Sequence, residues 1–85
     1  MARVDRELRQ AWRDEPETRV EVIVHVDDAQ ARTASLRRQG LRVRRAFSLT
    51  QTVAGSCKAA AAQAMADLDW VKRIELDRPV RATRR

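Results

Sequence analysis

One cysteine, Cys57, and one histidine, His25, occur in 85 residues. A single thiol excludes an internal disulfide framework. One Cys with one His falls short of the four ligands of a structural zinc site. Glycine is confined to Gly40 and Gly55, so no glycine-rich loop can cradle a phosphate. The aromatic side chains are Trp12, Phe47 and Trp70, too scattered to form the base-stacking strand of an RNA-recognition sheet. No apolar run approaches the ~18 residues of a membrane helix. The opening residues, Met1 to Glu7, are charged and lack the apolar core of an export signal. A cytoplasmic chain without cofactor, metal or membrane partner is the expectation.

What is present suits a folded domain: 44% hydrophobic and 35% charged residues, enough for one domain and no more. The formal charge is +6, and of 18 basic residues only Lys58 and Lys72 are lysine. Residues 1–20 balance, with five Arg against five acids. The excess lies in two clusters: Arg37, Arg38, Arg42, Arg44 and Arg45, and then Arg78, Arg81, Arg84 and Arg85. Such clusters suit nucleic acid or an acidic partner, and equally a solubilising surface.

Val4, Leu8, Ala11 and Trp12 share one helical face, predicting a helix over 3–13 that ends before Pro16. From Arg19 to Val26 the chain alternates as a strand: Val20, Val22, Val24 and Val26 on a core face, Glu21, Ile23 and His25 on a mixed one. Asp27 and Asp28 can cap a helix that runs to about Gln39, where Gly40 ends it. A second strand spans Leu41 to about Gln51; its alternation breaks at Arg45, which predicts a bulge near 44–46. Thr52 to Lys58 forms a third, with Val53, Gly55 and Cys57 on one face. The Ala-rich stretch 59–68 favours helix, and Trp70 to Leu76 is the last strand. Asp67 and Asp69 read as helix-end acids. Residues 1–18 are then a helix and linker, 19–77 the domain proper, and 78–85 a flexible basic tail.

The order βαββαβ predicts an α+β, ferredoxin-like domain. It has a four-stranded antiparallel sheet, order 4-1-3-2, two helices on one face, and an extra N-terminal helix. No catalytic constellation is visible. His25 is mid-strand without a serine–acid partner pattern, and Cys57 reads as a small core residue. The chain is therefore not expected to be an enzyme.

Four segments carry a family likeness: Val22-Ile23-Val24-His25-Val26-Asp27-Asp28; Gly40-Leu41-Arg42-Val43-Arg44-Arg45-Ala46-Phe47; the helix 59–68; and Val71-Lys72-Arg73-Ile74-Glu75-Leu76-Asp77. Together they resemble the propeptide domains of subtilisin-like serine proteases and their free-standing inhibitor relatives, over about three quarters of the chain. Gln51-Thr52-Val53 departs from the Asn-Gly-Phe usual in that family. The resemblance implies a binder, inhibitor or folding chaperone of a subtilisin-like protease. The open sheet face would pack on two protease helices, with Glu75 and Asp77 at their N-termini. Val80, Arg81, Ala82 and Thr83 would enter the cleft as a product-like strand, and the last strand would be the adhesive edge. Two alternatives stand beside it. One is a nucleic-acid-binding domain using Arg37, Arg38, Arg42, Arg44 and Arg45. The other is an assembly module that dimerises through the Trp12 helix or the sheet face.

Overall fold

The computed structural model describes residues 2–77. In chain order they form β1 (Arg3–Val4), α1 (Arg6–Asp14), β2 (Arg19–Val26), α2 (Ala29–Arg38), β3 (Arg42–Phe47), β4 (Thr52–Lys58), α3 (Ala59–Ala66) and β5 (Val71–Leu76). The strands make one sheet in the order β1-β5-β2-β4-β3. Strands β2 to β5 pair antiparallel with their neighbours. Strand β1 joins β5 parallel, with Arg3 opposite Arg73 and Val4 opposite Ile74. The fold is therefore α+β with a five-stranded mixed sheet, not the clean four-stranded antiparallel sheet expected; β5-β2-β4-β3 follow the expected 4-1-3-2 order, and the parallel β1 is added at their edge.

Residues 3–4 are strand where the apolar spacing predicted a helix. The edge of β5 offers unpaired N–H and C=O groups, and the N-terminal segment takes them. Asp5 N donates to the Ile74 carbonyl at 3.4 Å. The Asp5 carboxylate accepts from Leu76 N at 3.0 Å and makes no cap bond to α1. Further back, Ala2 N donates to the Ala66 carbonyl at 3.0 Å. Consequently the last strand is not the edge of the sheet, which overturns the adhesive edge expected there.

The valine alternation of β2 sorts the two faces. Val22, Val24 and Val26 are buried together with Leu8 of α1, Leu36 of α2, Met65 of α3, Val53, Cys57 and Ile74. All three helices thus contribute to one layer over one sheet face. Trp12 packs against this core, so α1 lies on its own domain and leaves the other face bare. Trp12 Nε1 is buried without a hydrogen-bond partner among the described residues.

Helix ends are satisfied in three ways. Asp28 Oδ1 accepts from Ala31 N at 3.2 Å and caps α2. Asp27 does not cap: it takes Arg32 Nε and Nη2, each at 3.0 Å. At the other end Gly40 has φ +106°. There Leu41 N donates to the Leu36 carbonyl and Gly40 N to the Arg37 carbonyl, each at 3.0 Å, the Schellman arrangement that glycine permits. Helix α3 has no side-chain cap; the carbonyls of Thr18 and Pro16 accept from Ala59 and Ala60 instead. Asp67 stands at the C-terminal end of α3, a helix end as expected, but the free groups there are carbonyls, which a carboxylate cannot cap.

Strand β3 is shorter than expected. It ends at Phe47, and residues 48–51 turn the chain, with Gln51 at φ +53°. The expected bulge is present, one residue earlier, between Val43 and Arg45. Gly55 makes it possible. A Cβ there would overlap the Arg42 carbonyl oxygen and sit 2.9 Å from its carbon. Gly55→Ala therefore forces two backbones apart, and urea unfolding should show a loss of about 1–3 kcal/mol. An unchanged midpoint would show that β3 does not pass this close.

Candidate functional site

The bare face is built from the residues of β2 that alternate with its valines. Pairing across the strands sets three rows. Arg42, Ser56 and Glu21 form the first; Arg45, Ala54, Ile23 and Glu75 the second. The third runs Phe47, Thr52, His25, Arg73 and Arg3. In the middle Ile23, Ala54, Phe47, Arg44, Arg45 and Asp77 line a depression of about 360 Å³. Its floor is apolar and its rim is charged.

Arg44 organises this face. As the extra residue of the bulge it leaves the ladder, and its side chain crosses β4. Its Nη1 donates to Glu21 Oε1 and its Nη2 to Asp77 Oδ2, the latter at 2.8 Å. Asp77 N in turn donates to the Glu21 carbonyl at 2.9 Å. One guanidinium therefore ties the outer strand to the point where the chain leaves β5. Sequence reasoning did not foresee this role. The signal was there: broken alternation at 44–45, with a glycine on the neighbouring strand.

Glu75 and Asp77 both lie in this region. Neither carboxylate is isolated. His25 Nε2 lies 2.6 Å from Glu75 Oε2, and Arg73 Nε lies 3.8 Å from the same oxygen. Asp77 is held by Arg44. Both acids remain about 30% exposed, at 30% and 29%, and each contact engages one oxygen of a group that accepts at two. Val80, Arg81, Ala82 and Thr83 lie outside the described residues.

The basic cluster does not form one patch. Arg37 and Arg38 end α2, in the helix layer, and Arg38 Nη2 contacts Ser35 Oγ at 3.2 Å. Arg44 is engaged by two acids. Arg45 lies over the Phe47 ring, 5.8 Å from its centre, and Arg42 stands at the margin of the bare face. Of the five, Arg42 and Arg45 stand on the bare face without an acid partner among the described residues, and Arg73 and Arg3 lie across the same face.

Other chemistry-bearing groups lie elsewhere. Burial pushes the Cys57 thiol up to about 11, the opposite of what a nucleophilic cysteine needs. The hydrogen bond from Arg32 holds the Asp27 carboxyl below its ordinary value, and Arg32 also covers the Trp70 ring at 4.7 Å. Among the described residues no group of three or more His, Cys, Asp or Glu could hold a metal ion. No described helix is long and apolar enough to cross a membrane. No protein-family model and no curated protein matches the chain.

The Arg44 bridge is solvent-exposed, with 54% of its side chain accessible. Such pairs contribute little to stability. A double-mutant cycle of Arg44→Met with Asp77→Asn should give a coupling of about 0–1 kcal/mol, falling in high salt. A coupling above ~2 kcal/mol would show that the pair is shielded from water.

Proposed function

We propose that the chain is a protein-binding module resembling subtilisin propeptides, and that it inhibits a subtilisin-like serine protease, or assists its folding, through the bare sheet face and the residues after Asp77. The observation that carries this reading is one-sidedness. All three helices pack on the valine face, so the opposite face offers an apolar floor at Ile23 and Ala54 with acids beside it. An antiparallel sheet commonly turns one face to water; what supports a binding role here is the depression of about 360 Å³ between the charged side chains, a shape a partner side chain can fill. The ferredoxin-like core of β2 to β5, with β1 and α1 added, is the scaffold on this reading.

Glu75 and Asp77 would meet the N-termini of two partner helices, where unsatisfied N–H groups favour carboxylates. Their present partners moderate that attraction. Each acid keeps a cation on one oxygen and offers the other to the partner. Val80 to Thr83 would follow into the protease cleft as an extended strand, adding backbone hydrogen bonds. Because β1 occupies the edge of β5, the strand itself contributes no edge to the complex.

Titration of the protein into a subtilisin-type protease, read by peptide hydrolysis, tests this. Inhibition should appear, should vanish on deletion of residues 79–85, and should weaken about two- to fivefold in Asp77→Asn. A protease that keeps full activity at ~100 µM protein, weaker than specific interfaces of standard size, contradicts the reading.

A further inference from the structure

The two edges of the sheet differ. On one side β1 closes β5 with two residues. On the other, β3 is the last strand, and no described strand pairs with its outer side. Every residue of β3 is exposed except Val43, which is half-buried. Apart from the bulge at Arg44, this uncovered strand presents unpaired N–H and C=O groups as a template for another strand. The two large apolar side chains exposed on the described surface, Phe47 at 41% and Leu49 at 99%, stand at its C-terminal end.

Charge decides what can pair there. The strand carries Arg42, Arg44 and Arg45 and no acid. An antiparallel pair of two copies of β3 would set guanidinium beside guanidinium, and like charges opposite each other oppose pairing. The chain's own residues 78–85 contain four Arg and no acid, so they are repelled in the same way. Arg44 is already occupied by Glu21 and Asp77. Arg42 and Arg45 form no ion pair among the described residues, and both stand on the bare face.

We propose that the outer edge of β3 binds an extended acidic segment of a partner protein by antiparallel strand addition. Register fixes the pattern. On the inner side, Thr52, Ala54 and Ser56, two apart, face Phe47, Arg45 and Arg42. An added strand in the same register places an aliphatic residue beside Phe47, then acids beside Arg45 and Arg42. From its N-terminus it reads aliphatic, any residue, acid, any residue, acid. The intervening side chains turn toward Ala46 and Val43. Backbone bonds give the affinity, the two acids match Arg45 and Arg42, and those arginines oppose a second copy of β3 as competitor. This site borders the face of the protease reading and shares Arg45 and Phe47 with it, but it uses the backbone edge of β3 and needs no residue after Asp77.

The test is anisotropy titration of a labelled peptide of the order Val-Thr-Glu-Val-Glu, flanked by serines, at about 50 mM salt to limit screening. Saturable binding is expected, with no binding of the same peptide carrying Lys for Glu. The variant R42E/R45E alters exposed side chains only, so its circular dichroism should match the parent; it should weaken binding at least tenfold. N-methylation of the peptide on the residues that face β3 should weaken binding at least tenfold, while methylation on the alternate residues should have a much smaller effect. Absence of saturation at 1 mM peptide would overturn the proposal. So would equal effects of the two methylation patterns, which mean charge attraction without strand pairing. A dimer closed through β3, seen by sedimentation and lost in R42E/R45E, would overturn it as well.

Discussion

Leu76 donates its amide hydrogen to the Asp5 carboxylate at 3.0 Å, and Arg3–Val4 pair with Arg73–Ile74 beside it. This short parallel attachment decides which surfaces of the molecule are free. It uses up the edge of β5. It also fixes where α1 begins, so that Leu8 enters the same core as Leu36 and Met65. Had α1 turned the other way it would have covered Ile23 and Ala54. An amphipathic helix must bury its apolar stripe somewhere, and the two-residue strand before it chooses the side.

A second constraint acts at the opposite edge. Gly55 lets β3 approach β4 closely, the bulge absorbs one extra residue, and that residue is Arg44. Its side chain then spans to Glu21 and Asp77. The bare face is thus laced at its margin by charges while its centre stays apolar. The five arginines that look contiguous in sequence separate in space. Two end α2, one is neutralised, and two remain at the β3 edge.

Much of this was legible in the residues. The valines of β2, the glycine that ends α2, the start of β4 at Thr52 and the helix after Lys58 each follow from local pattern, because period and punctuation encode local structure. The bulge was legible from one broken alternation. The N-terminal strand was not. Val4, Leu8, Ala11 and Trp12 fit a helical stripe, and nothing local distinguishes a first helical turn from two residues that pair seventy positions away. The ion pairs on the face were equally hidden. Glu75 falls on the last strand with Asp77 just after it, and alternation alone puts Arg73 beside Glu75; the partners His25 and Arg44 come from two other strands whose juxtaposition only the sheet order creates. Asp67 misled because acids mark helix starts more reliably than helix ends.

Native-state hydrogen exchange at the Leu76 amide tests the central claim most directly, since that N–H points to β1 and is held only by Asp5. If the N-terminal segment closes the sheet, Leu76 exchanges as slowly as the buried amides of β2, and Asp5→Ala releases it selectively. Exchange of Leu76 in the parent protein at the rate of an unprotected peptide would mean that β5 is a free edge and that the placement of α1, and with it the bare face, is wrong.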